Sequence, residues 1–183
     1  MSLSFASPAR GLLITAAVLA ACAASAHELK RTVNPAASIP IATAVTVPAG
    51  SNLVFFSGVL PDVANADAPK GTPEAYGDTQ AQAASVLKKL KANLAAEGLG
   101  FGDVVQVRVF LVGDPQKDNK LDFAGLNAAF VQHFGTAEQP GRPARTALQV
   151  VALPAPGALV EIDLIAARPV HEAGPDPKTA PKR

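Results

Sequence analysis

A chain of 183 residues, about half of them apolar, is long enough for one domain with a sizeable core. Sixteen basic residues stand against fifteen acidic ones with no basic stripe, which removes the usual physical reason to propose nucleic acid as a main partner. A single cysteine leaves no disulfide, so the core alone must hold the fold.

Residues 1–26 differ in kind from the rest. Arg10 precedes the apolar run GLLITAAVLAACAA, which is short for a membrane span, and Ala24-Ser25-Ala26 then precedes His27. Charged start, apolar middle and small-residue end are the layout of a secretory signal peptide. LAAC at 19–22 also has the pattern of a bacterial lipobox, in which Cys22 would carry lipid. Only that second reading gives the protein a membrane partner. Cleavage after Ala26 is the preferred reading, because His27-Glu28-Leu29-Lys30 makes an ordinary polar start. Loss of Arg10 with the leader leaves 15 basic and 15 acidic residues in a protein expected in the periplasm.

The remaining chain divides into a polar leader (27–38), a domain (39–168) and a Pro-rich, charged tail (169–183) expected to be disordered. IATAVTVP (41–48) and NLVFFSG (52–58) are short and β-rich, which predicts a hairpin. A Pro- and Ala-rich loop runs from Pro61 to Tyr76. From Asp78 to Glu97, Ala83, Val86, Leu87, Leu90 and Leu94 recur at helical steps; Asp78 can cap this helix and Gly98 can end it.

VVQVRVFLV (104–112) alternates as a strand with both faces partly covered. After the loop GDPQKDNK, the segment 121–134 places Phe123, Leu126, Phe130 and Phe134 on one helical face, with Asp122 near its start. Two last strands lie around a turn at Pro154 to Gly157. The order is β-β-α-β-α-β-β, an α+β fold with two helices on one face of a mixed sheet. The sheet's other face needs a cover, and a homo-oligomer is the simplest one.

Arg145 and Glu161 stand out because each sits in a mostly apolar strand. Pairing of the two strands around the turn, with Val151 opposite Leu159, puts both charges on one face, with Glu161 opposite Gln149; a slip of one residue would separate them. Pattern alone leaves two readings open: solvated charges on an exposed face, or a site in which a guanidinium binds a carboxylate and a carboxylate orients water.

Five segments bear on that choice: Ser57-Gly58, DVVQVRVFLV, DFAGLNAAFVQHF, PARTALQVVALP and ALVEIDLIAA. In order and spacing, over about residues 33–168, the chain resembles the RidA family, also called YjgF. The resemblance implies a chorismate-mutase-like fold, a homotrimer with clefts between subunits, and hydrolysis of reactive enamine/imine intermediates such as 2-iminopropanoate and 2-iminobutanoate to 2-oxo acids and ammonia. It assigns carboxylate binding to Arg145 and water positioning to Glu161. It places Ser57, Gly58 and Asn127 in the cleft, although Asn127 could equally bridge to a nearby loop.

Two positions depart from the family. Ile41 stands where a Tyr is common, and Ala147 where a Cys often follows the Arg by two residues; the Cys backbone carbonyl, if that is the group used, is retained by Ala. The change at Ile41 bears on substrate more than on reaction type. Neither metal nor cofactor is expected, since His27, His133 and His171 lack ligand spacing. The rival reading is a small-ligand-binding or holdase-like module on the same scaffold, motivated by the compartment: imino acids rarely arise outside the cell. A ribonuclease role, also attached to the family, sits poorly with the charge balance.

Overall fold

The computed structural model describes residues 28–168; the leader, with Cys22 and His27, and the tail, with His171, lie outside them. The strands are β1 (Lys30–Thr32), β2 (Ala44–Thr46), β3 (Asn52–Val59), β4 (Val104–Val112), β5 (Ala144–Val150) and β6 (Val160–Arg168). The helices are α1 (Thr79–Ala96) and α2 (Phe123–Phe130).

Local chemistry accounts for the helix ends. The Asp78 side chain accepts from the Ala81 amide at 2.8 Å, satisfying one of the free N–H groups that every helix start leaves. Gly98, at φ +69°, supplies the left-handed residue beyond the last turn. Asp122 caps α2 in the same way, accepting from Gly125 at 2.9 Å. α2 is shorter than its periodicity predicts: the helix ends at Phe130, and Phe134, whose amide still donates to the Phe130 carbonyl, reaches the core from the turns that follow.

Four strands form one sheet in the order β3-β6-β4-β5. β6 runs antiparallel to both β3 and β4, and β4 runs parallel to β5, so the sheet is mixed. Both helices cover one of its faces. Val107, Val109 and Leu111 of β4 and Ile162, Leu164 and Ala166 of β6 pack there with Leu87, Leu90 and Leu94 of α1 and Leu126 and Phe130 of α2. Burying side chains of this size contributes roughly 1.5–3 kcal/mol each, and this layer holds the fold.

Two expected hairpins do not form. β2 pairs with β1, in the segment expected to be a polar leader, and β3 pairs with β6. Pro48 cannot donate to a ladder, which ends β2 short of the turn, while β6 offers β3 a long partner. β1 is pinned by Arg31, whose guanidinium donates to the carbonyls of Gly102 (2.6 Å), Val104 (3.0 Å) and Arg142 (2.7 Å).

The second failure concerns β5 and β6, which are not neighbours. α2 provides the crossover that a parallel β4–β5 pair requires. β6, with most residues buried on both faces, takes the central place between β3 and β4. The turn before β6 still forms, with Gly157 at φ +83°, but it packs against the Thr72 carbonyl.

The sheet's other face has no cover among the described residues. Phe55 is 70% exposed, Leu53 48% and Leu148 40%, and they surround Phe110 and Ile165. The Arg108–Asp163 ion pair (2.8 Å) crosses the middle of this face.

Candidate functional site

Register decides which way each charged strand residue points. Arg145 pairs with Val107, a core residue, so its side chain lies on the helix face. Glu161 pairs with Phe110, so it lies on the open face. The same-face expectation is therefore overturned, because it rested on a β5–β6 hairpin that does not exist. Two strand spacings and three rungs put the two backbones about 14 Å apart, and the side chains point to opposite faces of the sheet.

On the helix face, Arg145 meets aromatic rings. Its guanidinium carbon lies 4.5 Å from the centroid of Phe130 and 5.3 Å from that of Phe123. Such cation–π contacts hold a desolvated cation but satisfy none of its N–H donors. Arg145 Nη1 is buried with no hydrogen-bond partner, and burial lowers the pKa to about 10. The group remains cationic at neutral pH, and no ion pair among the described residues involves it.

Phe123, Asn127 and Phe130 are spaced i, i+4, i+7 and so form one stripe of α2. Asn127 lies between the two rings on which Arg145 rests, and its Oδ1 is also buried without a partner. Among the described residues its side chain makes no bridge to a loop. Ala147 follows Arg145 on the same face and packs against the core, as does Ile41. The Ala42 amide donates to the Pro143 carbonyl at 2.8 Å, which brings the Ile41 segment beside the entry to β5. Arg145, Asn127, Ala147 and Ile41 thus belong to one side of the sheet.

Ser57, Gly58 and Glu161 form the second group. Between the pairs Phe56–Leu164 and Val59–Ile162, β3 has two residues opposite the single Asp163, which is a β-bulge. Those two are Ser57 and Gly58. The carboxylate of Glu161 lies against the backbone there: a side-chain carbon on Gly58 would collide with Glu161 Oε1. Glu161 is half-buried beside Phe110, next to the uncovered apolar surface.

Sequence reasoning placed Phe123 and Phe130 on one helical face and missed their role as the seat of Arg145. The signal that could have found it is the stripe itself, two rings flanking one amide. Two surface cavities, of about 200 and 290 Å³, are lined by Ser38, Pro40, Phe134 and Arg142 and by Glu74, Asp78, Asp114 and Gln116 respectively. Neither contains Arg145 or Glu161. The unpartnered polar atoms of Arg145 and Asn127, rather than these two cavities, mark the candidate site among the described residues.

Comparison with known proteins bears on family and fold. The family model described as Endoribonuclease L-PSP matches residues 31–168. The chain is 41% identical over 132 residues to Protein DfrA of Myxococcus xanthus, covering 72% of this chain and 88% of that protein. It is 38% identical over 117 residues to the 2-iminobutanoate/2-iminopropanoate deaminase of Escherichia coli (strain K12), covering 64% and 80%. Among solved structures, the Rid-family protein YyfB of Yersinia pestis, of unknown function, superposes with a TM-score of 0.54 at 26% identity, covering 75% of this chain and 98% of that one.

Proposed function

Because the chain belongs to the Endoribonuclease L-PSP family, the RidA/YjgF group, we propose that it is an exported imine/enamine deaminase. It hydrolyses 2-imino acids to 2-oxo acids and ammonia. The observation that carries this reading is the Arg145 guanidinium, buried on two aromatic rings with a donor left free. A buried cation without a counter-ion is costly, and a carboxylate supplies the partner it lacks. The 38% identity to a protein named as a 2-iminobutanoate/2-iminopropanoate deaminase gives the carboxylate its chemical context.

The reaction needs little from the protein beyond orientation. The C=N carbon of a 2-imino acid is already electrophilic. Water adds to it, the nitrogen takes up protons and leaves as ammonia, and the C=O bond forms in its place. Arg145 holds the carboxylate, and Glu161 directs the attacking water with its carboxylate. Ser57 and Gly58 position Glu161, and Ile41 and Ala147 make the surroundings apolar.

Arg145 and Glu161 cannot meet within one chain, so the working site is a cleft between copies in a homotrimer. The apolar open face around Phe55, Phe110 and Leu148 supports that assembly, since Glu161 stands on it. The family's description names an endoribonuclease, but the balanced charge supplies no track for a phosphate backbone.

The test uses residues 27–183, with 2-imino acids generated by an amino-acid oxidase and trapped by semicarbazide. The enzyme should sharply lower semicarbazone formation, and Arg145→Ala should abolish the effect. A binding module is the second reading, favoured by the apolar Ile41 and Ala147 at the site; saturable binding of 2-oxo acids with unchanged imine decay would establish it instead. Export is tested separately: mass spectrometry of the periplasmic fraction should find a chain starting at His27, and a lipid-modified Cys22 would replace that account.

A further inference from the structure

We propose that the cavity beside Arg142 takes a second carboxylate, so that the preferred substrates are 2-imino acids whose side chain itself ends in an anion. The inference rests on the carboxylate site proposed at Arg145 and names the class of substrate that site serves. Five arginines fall among the described residues. Arg31 donates to three carbonyls, Arg108 to Asp163 and Arg168 to Glu97. Among the described residues, the guanidiniums of the other two, Arg142 and Arg145, have no ion pair. These two stand three positions apart at the entry to β5.

Arg142 is half-buried in the wall of the 200 Å³ cavity, with Ser38, Pro40, Val131, Phe134 and Gly135 around it. No carboxylate lines that cavity, so its one formal charge is positive. Gly135, at φ +69°, keeps the space open: a side-chain carbon there would press on Pro40.

Three links join the cavity to Arg145. The Phe134 ring in its wall stacks on Phe130 at 4.5 Å. The Arg145 guanidinium carbon lies 4.5 Å from that same Phe130 centroid, so the wall begins within twice this distance. Val131 follows Asn127 by one helical turn and extends the stripe of α2 to the cavity's rim. The third link is the Ala42–Pro143 backbone hydrogen bond, which holds the segment leading from Pro40 beside the one leading from Arg142 to Arg145. A substrate with its first carboxylate on Arg145 runs its methylenes along Val131 and Pro40 and ends its second carboxylate on Arg142. Arg142 is thereby a specificity residue, remote from the reacting carbon. Charge-assisted hydrogen bonds are the strong ones, so the distal charge should count for roughly tenfold or more in affinity against an uncharged group of the same shape.

Two stable 2-oxo acids test this: 2-oxoglutarate, and 5-methyl-2-oxohexanoate, in which an isopropyl group replaces the distal carboxylate. Titration calorimetry on the assembled protein should give roughly tenfold or more tighter binding of 2-oxoglutarate. Arg142→Gln should bring the two affinities together, and Arg142→Lys, which keeps the charge, should retain a preference. Both variants keep the Arg142 backbone carbonyl that anchors Arg31. Equal affinities in the wild type, with both lost in Arg145→Ala, would overturn the role of Arg142 and leave the carboxylate site standing. Undiminished binding of 2-oxoglutarate alone in Arg145→Ala would make the cavity a separate anion site and overturn the link between the two arginines. Binding of neither probe by the wild type, or of the monocarboxylate irrespective of Arg145, would overturn the carboxylate site and this inference together. The wild-type comparison holds even if a variant misfolds.

Discussion

Gly58 has no side chain at the point where Glu161 lays its carboxylate. The bulge in β3 and the carboxylate on β6 therefore fit together through the absence of one methyl group. Gly58 is not in the left-handed region, so alanine is compatible with its backbone, and the cost falls on Glu161. Gly58→Ala should leave stability within about 1 kcal/mol of wild type, because the displaced group is the far end of a side chain. Its kcat should nevertheless fall by roughly tenfold or more, with KM little changed, as for loss of an interaction made only in the transition state. Equal losses of stability and activity would mean that the glycine serves the fold alone.

The position of Arg145 predicts a trade between stability and function. A guanidinium seated on Phe123 and Phe130 with an unmet donor is a burden to the unliganded fold. Arg145→Met preserves much of the volume and removes the buried charge. We expect stability in urea, at fixed protein concentration, to hold or to rise by about 1 kcal/mol. Carboxylate binding should disappear. A loss of several kcal/mol would mean that the cation–π contacts support the fold more than its buried charge burdens it.

Separation of Arg145 and Glu161 across the sheet lends itself to complementation. Arg145→Ala and Glu161→Ala homotrimers should each be inactive. Unfolded together and refolded as an equal mixture, they should recover roughly a quarter of wild-type activity, since that fraction of interfaces joins one intact Arg to one intact Glu. Phe55→Glu, placed on the exposed apolar face, should yield monomers by sedimentation and abolish activity without touching either residue. Full activity of that monomer would exclude a shared site.

His133 packs against the Phe101 ring at a centroid distance of 5.2 Å, and burial, aided by the charge of Lys91, pushes its pKa below the usual 6.5. The unfolded chain then takes up a proton before the folded one does. Stability from this group is fully present above pH 6.5 and is lost as pH falls toward the depressed folded value. Urea midpoints between pH 5.5 and 7.5 should decline on the acid side, and His133→Gln should flatten the slope. An unchanged slope would assign it to other groups.

The sequence made some of this legible and hid the rest for a definite reason. Alternation within VVQVRVFLV and the Leu90–Leu94 stripe are local, and the structure reproduces β4 at 104–112 and α1 within a residue of expectation. Side-chain parity within β5 and within β6 was also readable, since it depends on each strand alone. Pairing was not. It depends on α2 carrying the chain across to β4's far edge, and on β6 burying both faces at the sheet centre. A turn at Pro154 to Gly157 predicts reversal of direction, not adjacency. Arg145 and Glu161 were therefore singled out individually, while their relation to one another required the register.

Arg31 fixes where the fold begins. Its three carbonyl acceptors tie down the chain at residue 31, only nine residues beyond Cys22. Fully stretched, that leash reaches about 30 Å, less than the diameter of a domain this size. A lipid on Cys22 would therefore hold the domain against the bilayer with one side facing the headgroups, and three such leashes would fix a trimer's threefold axis upright. Cutting after Ala26 would instead let the same body tumble freely, so a few residues upstream of Arg31 would decide whether the proposed clefts receive solutes equally from every side.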